Sequence, residues 1–394
     1  MIDQVEVIVL RDPPSTGSSN GPTAGYAASG RIAERPFLRI RTSDGLHGIS
    51  ELFEVPARVA VAALDGPDSV FGPVLYGQDP FPPQRLTRRL MAPLVARDRA
   101  GWAVQCIGAV DVALWDIAGK LLAKPVHALF GGPEWPALQE STPHRRTHVT
   151  PYATVYALAS DPRAMIRAQL EMVGRALDLG FRAIKVEPVR CEPHHVVEMA
   201  REARAMLGDR TLMLDVAYLW NDASVALRVA RQLAEFDLAW LETPFPNHSL
   251  QAYARLVTRS PVPVAVGEFG VTAARVIELM DTTTVDVVLP YVATLGGFEE
   301  MRQVVEAAVG RGVAVCPGGW ATQVTHAAHV QVAAWSTVTP YFEYPHPALY
   351  DSPLRTALAD LGQPHVVDGL VEVPAAPGLG IDLPDDLITS FRAT

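Results

Sequence analysis

The chain has 394 residues, 49% of them hydrophobic and 19% charged, enough for one large packed domain with a smaller one beside it. Its formal net charge is −10 and its densest cationic run is only His144-Arg145-Arg146, which excludes nucleic acid and anionic membrane as expected partners but leaves room for a small anionic substrate. Three scattered cysteines without a CxxC pair point to a reducing cytosol, and the absence of a signal-like leader or of about 18 consecutive apolar residues predicts no export signal and no membrane span.

In chain order, residues 1–10 and 36–42 alternate like antiparallel strands. Between them, residues 13–30 are rich in Pro, Ser, Thr and Gly; such a stretch is either an insertion or a cover over an active site. Residues 101–122 repeat apolar side chains at helical spacing, with Ile107, Val110, Leu114, Ile117 and Leu121 on one face. The segment 133–150 is Pro-rich and polar, a linker. From 151 a strand–helix rhythm begins, with strands expected near 151–157, 181–187, 211–215, 238–242, 263–268, 285–289, 312–316 and 340–344. Helices fill the gaps, and Ser160 and Asn221 are their expected caps. Eight strands with seven helices between them predict a TIM-like α/β barrel. Residues 346–394 lose the rhythm and are free to fold back on the N-terminal part.

Three carboxylates stand out. Asp215, Glu242 and Glu268 each close an apolar strand-like run, spaced by 27 and 26 residues. One such acid merely caps a helix or pairs with a lysine. Three at a matched period, at the C-terminal ends of successive parallel strands, place hard oxygen donors on one rim of the barrel, where they suit a divalent cation such as Mg²⁺.

The run Gly108-Ala-Val-Asp-Val-Ala-Leu-Trp-Asp-Ile-Ala-Gly-Lys120, with Lys124-Pro-Val, Leu129-Phe-Gly-Gly132, Gly180-Phe-Arg-Ala-Ile-Lys185, Trp240-Leu-Glu-Thr-Pro244 and Gly267-Glu268, resembles the enolase superfamily, mandelate racemase subgroup. The resemblance implies a (β/α)7β modified TIM barrel with an α+β capping domain formed by the N-terminal segment and the C-terminal tail. The domains would be 1–135 (capping), 136–150 (linker), 151–345 (barrel) and 346–394 (segment returning to the cap). It further implies that Asp215, Glu242 and Glu268 hold Mg²⁺, and that the chemistry is abstraction of the proton α to a carboxylate through a metal-stabilised enediolate.

The proton-transfer groups depart from the subgroup pattern. Its second strand ends Lys-x-Lys, whereas Lys185-Val-Glu187 stands here. Tyr291 occupies the place of the sixth-strand Asp, Gly318 that of the seventh-strand His, and Ala217 that of a His found in some relatives. The remaining catalytic candidates are Lys185, Glu187, Tyr291 and Glu343. Residues i and i+2 share a strand face, so Lys185 and Glu187 both point inward, either as an ion pair or with Glu187 as base. Tyr291 is either packed or an acid for a leaving hydroxyl. Glu343 either donates to substrate or orders the rim. Trp320 and His346 are candidate substrate contacts, while His326 and His329 are expected to face away from the mouth.

The leading expectation is a Mg²⁺-dependent lyase acting on a hydroxy or sugar acid, similar to acid-sugar dehydratases. The alternatives are a racemase, epimerase or cycloisomerase on a carboxylate, and a barrel that binds metal and ligand without turnover. The partner is a small-molecule carboxylate, the cysteine pattern points to the cytoplasm, and the family resemblance implies a homo-oligomer.

Overall fold

The structure, a computed structural model, describes residues 1–12, 34–97, 99–130, 146–159, 161–270, 272–350, 352–361 and 365–393. The expected cover at 13–30, linker residues 136–145 and Ser160 lie outside these. The N-terminal part is a three-stranded antiparallel sheet, Ile2–Arg11, Glu34–Thr42 and His47–Glu51 in that order. The third strand was not expected from the sequence. It is short, and only its pairing with Phe37–Arg41 makes it a strand.

The helix Trp102–Leu121 packs on this sheet. The sequence marks one apolar face, but the helix is buried on nearly every side, from Val104 to Gly119. It lies between the sheet and the barrel, so it is apolar all round. Gly108 permits the close approach, because a Cβ there would lie 2.0 Å from the carbonyl oxygen of Ala293. Asp111 accepts from Thr87 Oγ1 at 2.7 Å and from the Phe298 N–H at 2.6 Å. Asp116 accepts from the N–H groups of Ile49 (3.1 Å) and Leu379 (2.8 Å) and from Lys120 Nζ (2.8 Å). One helix thus joins the N-terminal sheet, the barrel and the C-terminal tail.

The barrel strands are Pro151–Val155, Ala183–Val186, Thr211–Asp215, Leu238–Glu242, Val264–Val266, Val287–Val288, Ala314–Val315 and Phe342–Glu343. All are parallel to their neighbours, each pairs with the next from the first to the seventh, and the eighth pairs with the first. Between the seventh and eighth strands closure rests on the bond from Glu343 N–H to the Pro317 carbonyl, 2.9 Å, rather than on a ladder. The helices after the first and third strands are capped by Asp161 and Asp222, whose carboxylates accept from Ala164 and Ser224 N–H. The cap after the third strand therefore falls one residue beyond the expected Asn221.

The end of the expected linker is itself ordered, because His148–Val149 pairs antiparallel with Val371–Glu372. The tail then reaches the N-terminal sheet through a Leu10–Arg392 bridge and the Arg39–Asp385 ion pair at 2.9 Å. Replacing Asp116 by Ala leaves two buried N–H groups without their acceptor and Lys120 with only the His47 carbonyl, and should cost about 3 kcal/mol. A guanidinium unfolding midpoint unchanged in Asp116→Ala would contradict this role.

Candidate metal centre and acid cluster

Strand register builds the cluster. Asp215 and Glu242 are direct partners on adjacent strands, and Glu268 follows the next strand, past Gly267. All three are buried, and one oxygen from each lies within 4.8 Å of the others. Each carboxylate is held by groups of its own. Asp215 Oδ1 accepts from Thr243 Oγ1 and the Ala217 N–H, both at 2.7 Å. Glu242 Oε2 accepts from Trp240 Nε1 at 2.8 Å. Glu268 accepts from the Tyr218 hydroxyl. Such supporting donors fix carboxylate orientation before any ion arrives.

Lys185 stands at the centre, 1% exposed. Its Nζ lies 2.7 Å from Glu242, 3.0 Å from Glu343, 3.5 Å from Asp215 and 4.0 Å from Glu187. Burial pulls its pKa down, but the carboxylates of Glu242 and Glu343 outweigh burial and hold it well above the ordinary lysine value. It is a fixed positive charge and not a neutral base. One ammonium therefore faces five buried carboxyl groups, counting Glu268, and the excess negative charge is what a hard divalent cation on three carboxylate oxygens would offset.

Glu187 differs from the rest. Its backbone is clamped by Gln169, whose amide donates to the Glu187 carbonyl at 2.7 Å and accepts from its N–H at 2.9 Å. Its Oε1 has no hydrogen-bond partner. Burial first, and then the charge of Asp215, raise its pKa well above the ordinary glutamate value. Glu343 is the opposite case: Oε1 accepts from Thr154 Oγ1 and Oε2 from the Gly319 N–H, which fixes it as an acceptor at the rim.

Tyr291 lies at the end of the sixth strand, across the barrel from Lys185 and Glu187. Its ring is 5.4 Å from those of Phe53 and Phe269, nearly parallel to both. A Cβ on Gly318 would come within 2.4 Å of that ring. Tyrosine at one position and glycine at the other are thus one steric unit: the ring fills the room that a seventh-strand side chain would need. The Tyr291 hydroxyl accepts from the Trp320 N–H at 3.3 Å. Burial and then Glu343 push its pKa well up, so it keeps its proton and can act as an acid but not as a base.

Trp320 is half-buried at the same rim, its ring edge-on to Tyr156 (6.0 Å) and Tyr350 (5.3 Å). His346 is not brought to the cluster. Its Nδ1 accepts from the Ala348 N–H at 3.2 Å, and its ring meets Phe181 and Tyr344 edge-on. It caps the turn that follows. His326 and His329 do not simply turn away from the mouth. His326 Nε2 donates to the Gly319 carbonyl at 2.7 Å, and His329 Nε2 accepts from the Val292 N–H at 3.3 Å, so both brace the loops that carry the rim. Sequence reasoning missed Tyr218 and Thr243, whose roles come from positive-φ turns (φ 60 and 40) that no periodicity marks. Trp240 was legible, lying two residues before Glu242 on the same strand face.

The chain is similar to known proteins along most of its length. Residues 168–387 match the family described as enolase C-terminal domain-like, and residues 22–131 match the mandelate racemase / muconate lactonizing enzyme N-terminal domain. A D-galactarolactone cycloisomerase of Agrobacterium fabrum is 28% identical over 90% of this chain and 90% of its own. A D-xylonate dehydratase of Haloferax volcanii is 29% identical over 89% and 84%. A crystal structure of a racemase from Streptomyces coelicolor with bound magnesium shares the fold, with a TM-score of 0.80 at 24% identity over the whole of both chains. With both of its domains matched, the chain belongs to the enolase superfamily, in its mandelate racemase subgroup.

Proposed function

We propose that this protein is a magnesium-dependent carbon–oxygen lyase that removes the proton α to the carboxylate of a hydroxy or sugar acid and expels a β-hydroxyl as water. The observation that carries this is the one-sided arrangement of the mouth. A three-carboxylate cation site, Lys185 and Glu187, whose Oε1 accepts no hydrogen bond, stand together, while an aromatic group closes the opposite wall. Support comes from relatives whose names are those of sugar-acid dehydratases and cycloisomerases, and from the magnesium in a neighbour of the same fold.

When bound, the cation supplies positive charge where the substrate carboxylate gains its second negative charge. Glu187 takes the α-proton, since its proton affinity is raised, as it also is for Glu242 and Glu268, and its Oε1 accepts no hydrogen bond. Lys185 keeps a second positive charge beside the same oxygens. Tyr291, protonated and across the barrel, gives its proton to the departing hydroxyl, and the resulting enol rearranges to a 2-keto acid. A ring oxygen leaving in place of a hydroxyl makes the same half-reaction a cycloisomerisation. Racemisation fits less well, because it needs a base on each face of the α-carbon, and the second face carries Tyr291 and Gly318. The same reading takes the protein as a cytoplasmic homo-oligomer, in keeping with its three free, buried cysteines.

In a screen of sugar acids with Mg²⁺ for 2-keto products, Glu187→Gln should lower kcat by at least about 100-fold with Mg²⁺ binding retained; loss of less than about tenfold would remove Glu187 from the chemistry. Metal binding should also depend on pH. Burial and then Asp215 raise the Glu268 carboxyl to about 8 in the metal-free protein, and only its ionised form is a ligand. Burial raises the Glu242 carboxyl as well, so Mg²⁺ affinity should rise as the pH rises towards about 8, with protons released on binding. Calorimetry in buffers of different ionisation enthalpy checks this, and a flat profile below pH 8 would contradict it.

A further inference from the structure

Of the 33 lysine and arginine residues in the chain, three are lysines: Lys120, Lys124 and Lys185. Lys185 is the one in the acid cluster. A guanidinium is a planar fork, whereas an ammonium is a compact charge on a flexible stem. The compact group suits a space where carboxylates stand 2.7 to 4.0 Å from one nitrogen. Flexibility brings its own problem, because a four-carbon stem has many ways to place its charge. The cluster contains a neighbour that is not a carboxylate. Lys185 Nζ lies over the ring of Tyr152, 5.5 Å from its centroid. At that distance the negative face of the ring attracts a cation, and most strongly where water is excluded.

Strand register explains the placement. Lys185 pairs with Thr154 on the first barrel strand, and Tyr152 stands two residues earlier on the same inward face, one layer further from the mouth. There it packs with Ala183, Met213, Trp240 and Cys316 in the apolar filling of the barrel, wholly buried. Its ring meets Trp240 edge-on at 5.6 Å. Trp240 Nε1 donates to Glu242, the carboxylate nearest to Lys185. Tyr152 and Trp240 are thus an aromatic floor beneath an ion pair, one ring under each charge. The Tyr152 hydroxyl has no hydrogen-bond partner, so the ring is what this side chain gives the cluster. We infer that Tyr152 is a positioning residue for α-proton abstraction: its ring holds the Lys185 ammonium at the level of the carboxylate oxygens, beside the place of the substrate carboxylate. The role rests on the lyase reading above. It acts through Lys185, whose charge matters more as the substrate carboxylate gains its second negative charge.

The test has a kinetic arm and a spectroscopic one. Tyr152→Leu removes the ring and should lower kcat by about tenfold or more. KM should change far less, because the interaction lost strengthens in the transition state. Exchange of the α-proton in D₂O should slow by the same factor. Tyr152→Phe keeps the ring and should restore kcat to within about twofold of wild type, with Tm unchanged or higher, since a buried hydroxyl without a partner is removed. A ring that only fills the barrel would lower Tm in Tyr152→Leu and leave the kcat of the folded enzyme unchanged, and that result overturns the inference. Three lysines make the spectroscopic arm simple. In protein labelled at the lysine ε-carbon and assigned with Lys→Arg variants, the ring current should move the Lys185 ε-protons upfield of those of Lys120 and Lys124, in wild type and in Tyr152→Phe alike. Lys185 protons that resonate with the other two overturn the inference, and this arm decides it if Tyr152→Leu does not fold. A shifted Lys185 signal without turnover of any acid upholds the hold of Tyr152 on Lys185 and counts against the lyase reading.

Discussion

The structure of the mouth depends on one buried ammonium. Lys185 lies within 4.0 Å of four carboxylates, in a site where any unpaired charge is expensive. Without it, Glu242 and Glu343 would face each other with no cation between them. With it, negative charge still exceeds positive, and the surplus is concentrated on Asp215, Glu242 and Glu268, whose oxygens converge. The same imbalance raises the proton affinity of Glu187. On the proposed function, cation binding and proton abstraction are two outlets for one electrostatic excess.

The scaffold is arranged to preserve this imbalance. Parallel register sets Asp215 beside Glu242, and the third carboxylate follows on the next strand. Thr243, Trp240 and Tyr218 hold the carboxylates in place. On the far side, Phe53 from the N-terminal part stacks on Tyr291, so the cap supplies part of the wall. Glu51, one strand end away, is tied to the start of the helix Gln323–Trp335. The cap and the barrel therefore meet at the rim itself, where a substrate has to be sealed from water.

Much of this was legible in the sequence. The three acids declared themselves through strand-like runs at a matched period, and alternation along one strand correctly put Lys185 and Glu187 on the same face. The eight barrel strands fell within a few residues of their expected places, since short apolar runs in a strand–helix rhythm leave few alternatives. What could not be read depends on contacts between distant segments. Tyr218 reaches Glu268 from a left-handed turn, Gly318 makes room for a ring 27 positions earlier, and Arg355 finds the carbonyl of Trp320. The cap bond of His346 to the Ala348 N–H was likewise not readable from the sequence. The third N-terminal strand was missed because five residues, His47–Glu51, carry too little pattern without their partner.

The central claim is that proton transfer occurs on one face of the α-carbon, from the side of Lys185 and Glu187. Proton NMR of a turned-over acid in D₂O, following the α-position of recovered substrate, tests it most directly. The account predicts deuterium at the α-carbon with configuration retained, and no exchange in Glu187→Gln. Recovery of the deuterated epimer would place a second base on the opposite face and contradict it.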